Sequence, residues 1–319
     1  MRKASLIIPA ATLLAVTACA NASQPEANSQ EAYPLTVDNC GEDQIIESKP
    51  ETILTIGTAA ISLLDAAGAT DRIVARAGEF GADLPTDLQH EPTDAEIIDP
   101  SDPTTEKIIG ANADIIVGYG LFNADDADLE DLGIPNLVIF GECSHDTPVG
   151  ESVNFEAVIT DIERLATVFD TLHEAAPALA DFRSELADLD AAASEDISGS
   201  AAGVYYFSAT GDISAFGGYS MLDDIFGRIG LDHVYGDETA AYVSSGIETL
   251  LDADPEYIVI SYGIHGESAE EATQRFLSEP GAADLQAVTN DNVILVPNDD
   301  LTATPDALRG YRAIIEATQ

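Results

Sequence analysis

Pro177–Ala193 reads PALADFRSELADLDAAA. Its apolar residues fall at Leu179, Phe182, Leu186, Leu189 and Ala193, in steps of three and four that alternate strictly. That is the period of one helix face; a strand would repeat at every second residue. Pro177 suits a first helical turn, where its missing N–H has no partner to lose. Gly199, between two serines, closes the segment. A helix of this length would run ~25–30 Å. On either side lies a run of strand and helix signals of similar length and order. The helix, assigned to residues 173–196, is therefore expected to be a rigid strut between two lobes, 34–172 and 197–319. The alternative is an ordinary core helix inside one large domain.

In the first lobe, Ile53–Gly57 and Arg72–Ala75 are short apolar runs around a helix that Gly68 stops. Ile115–Val117 and Leu137–Phe140 follow as strands, separated by a helix over 125–132. Residues 79–104, rich in Pro and Asp, read as a long surface loop. Val153–Phe169 is an amphipathic helix. The second lobe offers strands at Gly203–Phe207, His233–Tyr235, Tyr257–Ile260 and Val293–Val296. Helices lie between them, and a last one has Thr304 as its cap and Pro305 at its first position. Strand–helix–strand repetition argues for an α/β fold with central parallel sheets covered on both faces.

Two stretches align without gaps. Glu106–Val117 (EKIIGANADIIV) lies over Glu248–Val259 (ETLLDADPEYIV), each with a Glu first, an Ala sixth, an acid ninth and a strand start at the end. The chain is expected to hold two similar α/β lobes joined by one long helix, with a ligand cleft between them.

The chain of 319 residues carries 58 acidic against 12 basic residues, a formal charge of −46. Phosphate backbones would be repelled, which argues against nucleic acid as a partner. Residues 1–18 have a basic start, Met1-Arg2-Lys3, and an apolar run too short to span a bilayer. Small residues followed by Cys19 resemble the bacterial lipoprotein signal, in which the thiol receives the lipid and becomes the new N-terminus. A plain secretory signal is the alternative. Residues 19–33 are polar and small, the composition of a flexible tether. An extracytoplasmic protein held to the membrane only by its lipid is expected. In an exported chain the remaining pair, Cys40 and Cys143, reads as a disulfide.

Taken together, the lipoprotein signal, tether, paired lobes and single long helix resemble the substrate-binding proteins of ABC importers in the helical-backbone class. These carry ferric siderophores, haem, cobalamin and related cargo. Tyr33–Gly41 resembles the opening phrase of an iron-type subgroup, and Phe216-Gly-Gly-Tyr-Ser220 resembles a second-lobe turn of the family. Glu106–Val117 and Glu248–Val259 each resemble its E-x-I/L…D-L-V signature. The resemblance covers residues 33–317 and implies a non-enzymatic, monomeric receptor. It would deliver its ligand to a permease dimer with its ATPase. It further implies that Glu106 and Glu248 dock on permease arginines, although both could be first-turn acids of their helices.

The family's ligand lies between the lobes, beyond strand C-termini. Positions facing it would be Thr58, Ala59, Arg76, Tyr119, Phe122, Tyr206, Ser208, Tyr219, Tyr242, Tyr262 and His265. Tyrosines offer ring area and a hydroxyl together. Arg76 could neutralise an anionic ligand or equally pair with Glu79. Tyr205 and Tyr206 alternate faces, so at least one belongs to the core. On subgroup resemblance the ligand is expected to be a ferric siderophore, an iron chelate and no resident cofactor. Corrinoid, haem or a deazaflavin coenzyme precursor stay open. The histidines at 90, 145, 173, 233 and 265 lack ligand spacing, which disfavours a zinc or manganese receptor. No G-x-S-x-G, Walker or H-E-x-x-H motif marks an enzyme.

Overall fold

The computed structural model describes residues 33–143, 152–193, 197–207 and 211–319. The leader, Cys19 and the tether up to residue 32 lie outside the described residues, as do His145 and Ser208. The first lobe opens with a hairpin, β1 (Leu35–Asn39) and β2 (Glu42–Ile46), paired in antiparallel register. Cys40 and Gly41 turn it, both at positive φ, the geometry that matches strand twist in a two-residue loop.

The remaining elements of the first lobe follow in chain order. They are β3 (Ile53–Ile56), α1 (Thr58–Ala66), β4 (Ile73–Ala77), β5 (Glu96–Asp99), α2 (Thr105–Ala111), β6 (Ile115–Gly118), α3 (Asp126–Glu130), β7 (Asn136–Val138) and α4 (Phe155–Val168). The five strands after the hairpin form one parallel sheet in the order β5-β4-β3-β6-β7. Its central strand, β3, is buried at all four positions, as a strand covered on both faces must be. The loop expected over 79–104 is thus interrupted by β5. An edge strand pairs on one side only, and Glu96-Ile-Ile-Asp99 needs no apolar run to do so.

The long helix, α5, spans Leu172–Ala192. It starts earlier than Pro177 suggests, leaving that residue inside the second turn, where it forgoes a single backbone bond. Leu179, Phe182, Leu186 and Leu189 are buried, as their spacing predicts. The second lobe comprises β8 (Ser200–Tyr206), β9 (Ile213–Phe216), α6 (Met221–Ile229), β10 (Asp232–His233), β11 (Tyr242–Ser244), α7 (Ile247–Ala253), β12 (Tyr257–Tyr262), α8 (Ala269–Leu277), α9 (Gln286–Thr289), β13 (Val293–Pro297) and α10 (Ala307–Thr318). Thr304 does not cap α10 directly. Its hydroxyl takes the Asp306 N–H at 3.2 Å, one turn before the helix begins.

The second sheet runs β11-β9-β8-β12-β13, with β10 beside β8. Here the parallel expectation needs correction, because β9 and β11 are antiparallel and the sheet is mixed. Only residues 207–212 join β8 to β9, too few for the crossover that a parallel neighbour requires.

The repeat seen in the sequence is structural. Glu106 and Glu248 lie in the first turns of α2 and α7, and both helices end on a left-handed residue at the same aligned place, Asn112 and Asp254. The strands that follow, β6 and β12, join β3 and β8 in parallel. Behind the sheets the lobes share a core: α1, α4 and α5 pack continuously with α6 and α10. Phe155 meets Phe182 at 6.1 Å and Tyr311 at 5.6 Å between ring centroids. The long helix is therefore laid into a common layer that stiffens the pair.

Candidate ligand cleft

The C-terminal ends of the strands of both sheets face one cleft of about 770 Å³. The first lobe contributes the β3–α1 turn at Ile56–Ala59, Gly78–Phe80 after β4, Tyr119 and Phe122 after β6, and Glu142 after β7. The second contributes Tyr205 from β8 and Phe207 just after it, Tyr242 from β11, Tyr262 at the end of β12 with Gly263 and Ile264 beyond it, and Asn298–Asp300 after β13. Thr58 donates to Asp299 at 3.1 Å, tying the lobes across the cleft.

Local sequence explains how these side chains are held. Tyr119 lies over Gly57, where an added Cβ would come within 2.9 Å of its ring, and over Gly78 at φ +66°. Its hydroxyl donates to Asp102 at 2.6 Å, and burial with that carboxylate pushes the phenol well above its ordinary range. Glu142 stands on a short 3-10 turn, Phe140–Glu142. Asp161 accepts the Phe140 N–H at 2.9 Å and pairs with Arg164, whose guanidinium stacks on the Phe140 ring at 4.0 Å. The same guanidinium donates to the carbonyls of Asp38 and Val138. The next residue, Cys143, is joined to Cys40 at a Cα–Cα distance of 5.2 Å. Disulfide and buried ion pair together pin the turn to the opening hairpin.

Of the residues expected to face a ligand, Thr58, Ala59, Tyr119, Phe122, Tyr242 and Tyr262 line the cleft. His265 is exposed at its rim, its ring edge-on to Phe80 at 6.0 Å and Phe207 at 6.2 Å. Three placements are corrected. Arg76 is 8% exposed and pairs with Glu79 at 3.1 Å, so the carboxylate, and not the guanidinium, reaches the cleft. Tyr206 points to the other face of its sheet. There it packs in the second lobe's own core under Arg275, 3.7 Å above its ring, and bonds Glu279. Strand alternation delivers Tyr205 to the cleft instead. Tyr219 sits in the β9–α6 turn, its backbone bonded to Val153 and Ala240, away from the lining. Glu106 and Glu248 are both exposed. Hydrogen bonds from its own N–H and from Thr104 hold the Glu106 carboxyl below its usual range.

The sequence reading passed over the acids. Glu79, Asp83, Asp102 and Glu142 from one lobe, and Glu267, Asp299 and Asp300 from the other, line the cleft. Among the lining residues described, the one cation is Arg309, which Asp300 and Asp306 hold at 2.7 and 2.8 Å. Burial raises Asp299 to about 6, Thr58 opposing this and Asp306 and Asp300 adding to it. Burial also raises Glu79 against the pull of Arg76. Asn298-Asp-Asp300 directly follows an apolar strand, a position at which the strand-terminus rule would have found it.

Residues 53–299 match the model of a protein family described as periplasmic binding protein. The chain belongs to that family, a class that binds substrates for ABC transport alongside a permease and its ATPase. It is similar to the crystal structure of an ABC-type Fe3+-hydroxamate transport system from Saccharomonospora viridis, at 25% identity and a TM-score of 0.78 over 89% of this chain and 99% of that one. It shares its fold with the vitamin B12 binding protein of Vibrio cholerae (21% identity, TM-score 0.64, covering 85% and 97%). The heme binding protein of the same organism is similar too (19%, 0.62, covering 83% and 97%). No curated protein sequence matches the chain. Among the described residues no helix is long and apolar enough to cross a membrane.

Proposed function

We propose that this chain captures a ferric siderophore outside the cytoplasmic membrane and hands it to an ABC permease. The observation that carries the reading is the cleft itself. At about 770 Å³ it lies within the roughly 300–1,000 Å³ of small-molecule sites, and seven aromatic side chains from both lobes wall it, four of them the tyrosines 119, 205, 242 and 262. The shared helical layer keeps the lobes nearly fixed, so selection rests on a largely preformed cleft. The likeness to a ferric hydroxamate transport system supports iron as the cargo. The iron arrives inside its chelate, and the protein needs no resident cofactor.

In this reading Cys19 carries the lipid, residues 20–32 form the tether up to Tyr33, whose hydroxyl already bonds the Val168 carbonyl, and a single copy serves one permease dimer. Glu106 and Glu248, one per lobe and both exposed at equivalent helix starts, meet permease arginines as charge-assisted pairs. A corrinoid or haem receptor is the second reading, favoured by the fold likeness to proteins that bind those ligands.

The chain has ten tyrosines and no tryptophan, and four of the tyrosines line the cleft, so ligand binding there is followed by tyrosine fluorescence. Saturable sub-micromolar quenching by a ferric chelate and not by its metal-free form is the expected result. Tight binding of haem or a corrinoid alone would keep the receptor and replace the cargo. Tight binding of bare zinc or manganese would refute the chelate reading.

A further inference from the structure

At the mouth of the cleft, Phe80 of the first lobe and Phe207 of the second are 39% and 63% exposed, and both line the cleft. His265 meets both, its ring plane at 89° to Phe80 and at 86° to Phe207. Single exposed hydrophobes are ordinary on a protein surface. Rings gathered at the opening of a cavity mark a place where an apolar partner sits.

The backbone is committed to this placement. Phe80 has φ +51°, a left-handed conformation that bulky residues rarely adopt. A glycine would take it without strain, as Gly78 and Gly81 do on either side. Such conformations persist where the surroundings fix them, and they gather at ligand clamps. Here the Phe80 N–H donates to the Pro100 carbonyl at 2.8 Å, and the Ala82 N–H to the Glu79 carbonyl at 2.8 Å. Across the cleft, the Gly263 and His265 N–H groups donate to the Glu267 carboxylate at 2.8 and 2.9 Å, which fixes the turn bearing the imidazole. The imidazole Nε2 meets the Phe207 carbonyl. The two turns touch, since a Cβ on Gly266 would lie 3.1 Å from the Gly81 oxygen. The rim is therefore built from both lobes and held on both sides.

Resting on the receptor reading above, we infer that Phe80, Phe207 and His265 form an apolar rim that grips a hydrocarbon part of the bound chelate, and that this contact sets specificity. The ligand so selected carries an alkyl chain or ring on the side that faces the mouth. A chelate polar over its whole periphery leaves the rings in water and gains nothing from them.

The test uses ferric chelates of equal charge and graded apolar length. Ferrioxamine B, a linear trihydroxamate with one free amine, is acylated on that amine with acetyl, butyryl or hexanoyl groups, and each ferric form is titrated. Haem and cyanocobalamin complete the panel. A fully buried methylene is worth about fourfold in affinity, so the hexanoyl form is expected to bind at least about tenfold more tightly than the acetyl form. Phe80→Ala with Phe207→Ala should shrink that ratio to about threefold or less, with thermal unfolding checking that the variant is folded. Phe207→Ala alone, at the more exposed ring, should lower it in the same direction. An affinity that does not rise along the series would overturn the rim inference and leave the ferric reading standing. A rise that the variants leave intact would overturn it too, by placing the acyl chain elsewhere in the cleft. Haem or cyanocobalamin bound while every hydroxamate is refused would end the ferric reading. The rim inference then holds if the double variant weakens that ligand at least about tenfold, and fails if it does not. Silence across the whole panel would overturn both.

Discussion

Asp299→Asn should make the protein more stable at neutral pH, and the gain should vanish in acid. Asp299 lies between the lobes, accepting the Thr58 hydroxyl, and burial beside Asp306 and Asp300 lifts its carboxyl from 3.8 to about 6. Below about pH 4 the group is protonated both folded and unfolded, and it costs nothing. Between about pH 4 and 6 the unfolded chain releases its proton first, so stability falls as pH rises. Above about pH 6 the folded protein carries the whole cost of a buried carboxylate. Roughly two pH units at ~1.36 kcal/mol each give a cost on the order of 2–3 kcal/mol. An asparagine keeps an oxygen for Thr58 and carries no charge. Asp300 and Asp306 titrate in both proteins and largely cancel in the difference. Denaturant unfolding of both proteins, followed by circular dichroism across about pH 4 to 8, measures it. The variant's advantage should grow from near zero to ~2–3 kcal/mol over that interval. Parallel stability curves, or a variant weaker at pH 8, would refute the burial argument.

Two further outcomes are expected. The Cys40–Cys143 bridge closes a loop with a sequence separation of 103 that contains the whole first sheet, so Cys40→Ala with Cys143→Ala should cost ~4–5 kcal/mol by chain entropy. At ~2–4 °C per kcal/mol that lowers Tm by about 10–15 °C in calorimetry, and a drop of only a degree or two would contradict it. Glu106→Ala with Glu248→Ala should abolish transport into cells while ligand affinity, measured by titration, stays unchanged. A loss of affinity would instead place these acids in ligand binding.

How much could be read in advance depended on whether neighbours were needed to define an element. The Leu179–Leu189 stripe announces its helix because a 3.6-residue period needs only local geometry. Buried strands such as Ile53–Ile56 are legible for the opposite reason, being apolar at every position when covered on both faces. The strands β5, β9 and β11, at or next to a sheet edge, are short and partly polar, and their state is decided by the backbone beside them. In the cleft, the strand-terminus rule finds Tyr119, Phe122, Tyr242 and Tyr262. Yet it cannot separate Tyr205 from Tyr206, since a shift of one residue exchanges the two faces of a strand.

By itself the amino-acid sequence determined the α/β class, the duplicated lobes, the joining helix, the cysteine pair and the family, because each is written in local period, spacing or chain order. Only the tertiary structure decided the charge of the cleft. Arg76 turns inward to Glu79, Arg309 is consumed by two aspartates, and acids as far apart in the chain as Glu79 and Asp300 meet around one space. A composition with 58 acids cannot say which of them converge, since convergence is a property of packing between residues hundreds of positions apart.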